Sequence, residues 1–407
     1  MKTYRPAQAI DAQLLPLHVR QPILAALTLS LASAVALGIT RFSYGLLLPP
    51  MREDLDWSYT LAGSLNTSNA VGYLAGALLA PMVLRRLGVS RLLTLSTVLA
   101  GIFMLLSGTT LVADMLLGLR VCSGVVSSFI FIAGGVLASR LSSIHSHRSG
   151  LLLGIYYGGT GLGIVLSALL IPVLLNAAQE NGHAHTWQWT WYGLGLLCFV
   201  AAGLMAPLGK AISSSPGSAA QRHQYALRRF SWALAGYFLF GVGCIGYMTF
   251  VVALLKEQQM QPWLITLFYS VLGLAVMASS RLWAGLLGRY KGGQALAILN
   301  AILAGATVLP ILANSVSLAF ISGLVFGGVF MSVVASTTAL VRHNLDEQYW
   351  SAAISAFTVV FAFGQIFGPL LVGWLADGPG GLEQGLAVSA GALVLGAILA
   401  WRQKPLK

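Results

Sequence analysis

Twelve stretches of the chain carry apolar residues in near-continuous runs, divided by short polar or glycine-bearing breaks. A helix needs about 20 such residues to cross a hydrocarbon core of roughly 30 Å. The pattern predicts helices at 22–48, 59–82, 91–112, 114–139, 149–175, 187–208, 230–255, 262–287, 293–312, 316–341, 350–376 and 384–401. The expected fold is an all-α membrane protein with twelve transmembrane helices. Residues 1–21 are polar and the first run is too long for a signal-peptide core, so that run is expected to remain as the first helix. The longest polar break, 209–229, is rich in Ser, Gly and basic residues and reads as a flexible linker. The expected organisation is a tail at 1–21, a six-helix half at 22–208, the linker at 209–229, a second six-helix half at 230–401 and a tail at 402–407.

Composition agrees with the pattern: 57% of the 407 residues are hydrophobic and 8% charged, where soluble domains carry about a quarter charged. The mean hydropathy is +0.81. A net charge of +12 would suit a nucleic-acid partner only if the cations clustered on one solvated face; here they sit in the breaks. Eighteen of the 23 Lys and Arg fall in the tails, the linker and the even-to-odd connections. Only Arg52 and Lys256 fall in the opposite set of loops. By the positive-inside rule both termini are cytoplasmic. Cys122, Cys198 and Cys244 lie within apolar runs and read as small core residues. Trp187, Trp189 and Trp191 read as interfacial anchors.

The two halves look like repeats. Arg85–Gly88 is matched by Arg289–Gly292 at an offset of 204, and Gly38, Tyr44 and Gly161 by Gly241, Tyr247 and Gly364 at 203. A shared offset implies parallel, pseudo-symmetric six-helix halves.

Three arginines lie inside predicted spans: Arg41, Arg120 and Arg281. A guanidinium in the hydrocarbon region costs several kcal/mol and faces a cavity, a partner or a headgroup. No Asp or Glu lies deep in any predicted span; Asp114 is at the outer mouth of the fourth. All seven histidines fall in predicted loops. The interior is therefore expected to be cationic and to favour anions. Structural alternatives stay open, since each arginine can also snorkel or bond carbonyl oxygens. His183 and His185 lack the carboxylate partners of a metal site, no phosphate-cradling Gly-x4-Gly-Lys-Ser/Thr motif occurs, and no nucleophile–base set suggests an enzyme. No metal, cofactor or nucleic acid is expected.

Over residues 22–401 the chain resembles the major facilitator superfamily. The basic, glycine-bearing stretches at Arg85–Gly88 and Arg289–Gly292 are similar to that family's loop 2–3 and 8–9 motifs, with arginine where an aspartate is usual. Arg120-x3-Gly124 resembles its helix-4 motif, and Gly154, Gly158, Gly159, Gly161 and Gly163 its helix-5 glycine motif without the proline. The stretch Gly38–Gly45 with Leu48–Met51 resembles the bacterial YbfB/YjiJ-type branch, and Arg281-x3-Gly285 is similar to a substrate-carboxylate arginine of monocarboxylate and oxalate transporters.

The resemblance implies a transporter working by alternating access, with helices 1, 4, 7 and 10 along the pathway. Its expected cargo is a small organic anion, a carboxylate being one candidate. Arg41, Arg120, Arg281, Tyr44, Tyr157, Tyr247 and Gln365 are the expected substrate contacts, with Phe42, Tyr156, Phe361 and Phe363 nearby. Arg85, Gly88, Arg289, Gly292, Gly154, Gly158 and Gly161 are the expected gating residues, and Asp114 is the proton-coupling candidate. The expected setting is a bacterial cytoplasmic membrane, with the protein surrounded by lipid as a monomer. Two other readings remain: a proton-driven exporter of hydrophobic or cationic compounds, and a membrane sensor or assembly partner that moves no solute.

Overall fold

The computed structural model describes residues 20–213 and 227–406. Most of the 1–21 tail, the centre of the 209–229 linker and Lys407 lie outside the described residues. Twelve helices are long and apolar enough to cross a membrane, and no strand occurs among the described residues. They are α1 (Pro22–Asp54), α2 (Tyr59–Leu87), α3 (Val89–Ser107), α4 (Ala113–Ile144), α5 (Ser149–Glu180) and α6 (Thr186–Ser213). The second set is α7 (Ser231–Glu257), α8 (Pro262–Leu282), α9 (Gln294–Leu312), α10 (Val316–Asn344), α11 (Glu347–Ala376) and α12 (Gly381–Trp401).

Every predicted span is present, and several run further than the apolar pattern indicated. α1 continues to Asp54, α4 to Ile144, α6 to Ser213 and α10 to Asn344. Hydropathy marks only the length that lipid demands, whereas backbone hydrogen bonding carries a helix on into the polar layer. One consequence is a correction: His343, expected in a loop, is in the last turn of α10. Local signals set the ends. Pro22 opens α1 at a position whose N–H would be unpaired anyway. The Ser58 hydroxyl accepts from the Leu61 N–H at 3.1 Å at the start of α2. Gly88, at φ 75°, ends α2 and lets α3 begin one residue later.

Packing follows the repeat. In one half α2 packs on α4, α3 on α4 and α6, and α1 on α5; in the other α8 packs on α10, α9 on α10 and α12, and α7 on α11. The halves meet through α2 on α11 and α5 on α8, themselves a symmetry-related pair. In lipid the hydrophobic effect does little to join helices, so close backbone approach matters more. A Cβ on Gly159 would stand 2.0 Å from the Ser30 carbonyl oxygen, and one on Gly72 would stand 2.0 Å from that of Val121. Long apolar side chains such as Leu78, Val173 and Trp374 point outward into the lipid-facing surface.

Two sequence expectations fail here. Trp187 and Trp191 are buried and only Trp189 is exposed, because residues two apart on a helix point to different faces. Cys122 is exposed rather than part of the core, while Cys198 and Cys244 are buried.

Candidate functional site: a central cavity with an unpaired arginine

The middle of α1, Ala34–Phe42, is wound as a π-helix. The wide turn is visible at its end, where the Ser43 N–H donates to the Gly38 carbonyl, five residues back, at 2.9 Å. Such segments are rare and recur at functional positions. Gly38 permits this one to press on α5, since a Cβ there would lie 2.5 Å from the Gly163 Cα.

Arg41 sits on this segment with 1% of its surface exposed. Its Nε and Nη2 atoms are buried and have no hydrogen-bond partner among the described residues. These two atoms form one edge of the guanidinium, the edge that can hold a carboxylate by two parallel bonds. The charged carbon lies 5.6 Å from the ring centre of Tyr73, a modest compensation for a buried cation. Arg41 lines a cavity of about 70 Å³ to which both halves contribute, with Tyr73 and Phe131 from one and Tyr237, Phe330 and Gln365 from the other. The Gln365 side chain is 2% exposed and its Oε1 is also unpartnered.

Arg120 is equally buried, at 1% exposure, but it is bonded. It donates from Nη1 to the Thr40 carbonyl at 2.7 Å, from Nε to the Leu65 carbonyl at 3.4 Å and from Nη2 to Asn66 Oδ1 at 3.4 Å. The rings of Tyr44 and Trp191 flank it at 5.2 and 5.6 Å. Asn66 in turn donates to Thr249 Oγ1 on α7 at 2.6 Å. Arg120 thus ties α4 to α1 and α2 beside Arg41, and it does not line the Arg41 cavity.

The other expected contacts are dispersed. Arg281 is exposed near the end of α8. The Tyr44 hydroxyl donates to the Ala62 carbonyl at 2.7 Å, and the Tyr247 hydroxyl is engaged by Ser322 Oγ at 2.7 Å. Tyr157 lines a separate cavity nearer the end that carries the termini. Asp114 is exposed in the first turn of α4. Phe42 and Phe361 line the Arg41 cavity, Tyr156 donates to the Phe131 carbonyl at 2.6 Å, and Phe363 is exposed. Sequence reasoning missed Tyr73, Tyr237 and Phe330. An aromatic in an apolar run reads alike whether it faces lipid or a cavity.

The end opposite the termini is closed. Asp377, after α11, accepts from the Tyr59 and Thr60 N–H groups at 2.6 and 2.9 Å and from the Thr60 hydroxyl at 2.6 Å. A carboxylate from one half therefore caps the helix that opens in the other. Partial burial pushes the Asp377 carboxyl up, but the bonds from Thr60 and Tyr59 outweigh it and hold it below the ordinary range. Lys256 pairs with Glu53 at 2.6 Å, the Tyr59 hydroxyl donates to Glu257, and the Tyr269 hydroxyl donates to the Phe42 carbonyl at 2.7 Å.

Towards the termini the halves diverge along α5 and α8. A Cβ on Gly161 would stand 2.2 Å from the Gly273 carbonyl oxygen, one on Gly158 3.4 Å from that of Met277, and one on Gly154 3.6 Å from Ser280 Oγ. Arg85, Gly88 and Arg289 are exposed at this end, whereas Gly292 is buried against Gln294 and Gln403.

Two halves packed by the same helix pairs around a shared cavity are the architecture of a multi-pass transporter with alternating access. The chain belongs to the major facilitator superfamily: the family described as "Uncharacterised MFS-type transporter YbfB" matches residues 33–401. No curated protein sequence matches it. Among solved structures it resembles a bacterial homologue of the human lysosomal transporter Spinster, inward-facing and unoccupied, with a TM-score of 0.69 and 13% identity over 93% of this chain and 96% of that one. The nucleoside transporter NupG gives 0.66 at 15% over 94% and 99%. A point mutant of the E. coli fucose:proton symporter FucP gives 0.60 at 14% over 94% and 98%. These identities speak for the fold alone.

Proposed function

We propose that this transporter moves a small organic anion, with a carboxylate as the favoured class, across a bacterial cytoplasmic membrane with both termini inside. One observation carries this reading: the unpaired Nε/Nη2 edge of Arg41, 1% exposed, in a cavity shared by the two halves. An arginine held there without a carboxylate is costly to the resting protein. An anionic guest would supply the missing partner, Gln365 a polar contact, and Tyr73, Tyr237 and Phe330 an apolar wall. About 70 Å³ of cavity suits a guest of few atoms. Arg120 has its bonding satisfied and serves as a brace, and Arg281 stands away from the cavity. No acid or histidine lines the Arg41 cavity, which favours exchange or facilitated passage over proton symport through it. With the bonds opposite the termini closed and α5–α8 parting towards the termini, Arg41 itself stays 1% exposed between the two; opening the first and closing the second would turn its cavity to the opposite side.

The test is a thermal-stability screen of the purified protein against acetate, pyruvate and benzoate beside neutral and cationic compounds. A binding anion at a hundredfold excess over its Kd should stabilise by roughly 2.7 kcal/mol, and Arg41→Gln should abolish that gain. Stabilisation by cations alone, or by anions equally in Arg41→Gln, overturns the proposal.

A further inference from the structure

The geometry points to a second anion site, built by Arg342 and His343 in the vestibule on the termini side, where the cargo pauses between the Arg41 cavity and solution. It rests on the anionic reading of the Arg41 cavity. The helix that carries the two residues is longer than its apolar pattern: α10 reaches Asn344, so both stand on its last turn. A cation there would suit the helix C-terminus for purely structural reasons. That duty already has an occupant. The Asn344 side chain donates to the Leu340 and Lys291 carbonyls at 2.8 and 2.7 Å and accepts from the Leu406 N–H at 2.6 Å.

Arg342 and His343 instead line a cavity of about 400 Å³ between α5, α8 and α10. The Nδ1 of His343 is buried without a partner among the described residues. Arg342 rests against the Trp350 ring, 5.1 Å from its centre, which positions a guanidinium without using its hydrogen-bonding edges. Tyr157 and Ser280 bring hydroxyl groups from the facing helices, and no Asp or Glu is among the lining residues. Met331 and Val334 belong to both this cavity and that of Arg41. The two are therefore neighbours along α10, with Arg342 about 16 Å further down the helix axis than Met331. An anion leaving Arg41 towards the termini passes this wall and meets a second cationic, donor-rich surface. That surface holds it weakly enough to release it, as sequential stations on a pathway must.

The full chain in a Cys122→Ser background leaves only the buried Cys198 and Cys244. A Thr338→Cys substitution then reports on the vestibule wall. After correction for intrinsic reactivity, anionic sulfonatoethyl methanethiosulfonate should label it about tenfold faster than the cationic trimethylammonioethyl reagent. Arg342→Gln with His343→Gln should bring the ratio near unity, and Arg342→Lys should keep most of it. Millimolar pyruvate should slow labelling in the parent and in Arg41→Gln alike, but not in the double variant. Protection that persists in Arg41→Gln, while that variant has lost its gain in the stability screen, separates this site from the central one. No charge preference, or protection that vanishes with Arg41→Gln, overturns the proposal. So does slowing by phosphatidylglycerol vesicles relative to phosphatidylcholine ones with no effect of pyruvate, which would make it a lipid-headgroup site.

Discussion

Arg41 and Arg120 are the same residue type, buried to the same extent on neighbouring helices, and their surroundings differ in kind. Arg120 meets two carbonyls and an amide oxygen between two aromatic rings. Arg41 keeps two donors without a partner among the described residues and lines a cavity together with Gln365, whose side-chain oxygen is equally unpartnered. Burial of a charge alone therefore does not mark a binding site. The informative quantity is the unmet hydrogen-bonding capacity, because a native structure rarely leaves it unmet without a use.

Mutation should pull the two arginines apart. Arg41→Gln is expected to lower uptake of the anion found by the screen about a thousandfold, the scale of truncating a buried charged contact, while the thermal midpoint stays level or rises. Normal uptake by this variant would erase the contrast. Arg120→Met should do the reverse. Leaving the Thr40, Leu65 and Asn66 acceptors bare should cost about 2–4 kcal/mol of stability, read as a lower unfolding temperature, with ion selectivity unchanged in the protein that folds. Gln365→Leu removes one neutral contact and should weaken anion binding about fivefold, without altering the midpoint by the amount seen for Arg120.

The smallest effect belongs to the latch at the end opposite the termini, which tests access to Arg41 rather than the site itself. Asp377→Asn should raise labelling of a Thr67→Cys reporter from the side opposite the termini by about threefold, the modest scale of an exposed capping bond. The Asp377 carboxyl is held below its ordinary range in the latch. Its contribution is thus complete above the ordinary carboxylate value of about 4 and is lost only as pH falls through the depressed one. Labelling corrected for the thiolate fraction of the reporter should stay flat from about pH 8 to 5 and rise below about 4. A rise near neutrality would place another group in control.

Much of this molecule is written in the order of its residues. Lipid imposes a length and a polarity on every span, so the twelve helices and their repeat were legible from apolar runs and a shared offset. The same rule exposed Arg41 and Arg120 as anomalies. Chain order could not rank them, because partners such as the Thr40 and Leu65 carbonyls belong to the backbone, which every residue has. The overreach of α10, which converts His343 from a loop residue to a wall of the vestibule, was hidden for a related reason: hydrogen bonds extend a helix past the point where hydropathy stops recording it. The alternation of Trp187, Trp189 and Trp191 misled because helical geometry turns two of them inward. The spacing of apolar runs determined that the chain must cross a membrane and how often. Which guanidinium keeps its donors free was decided by how the helices meet, since hydrogen-bond satisfaction depends on neighbours brought from distant parts of the chain.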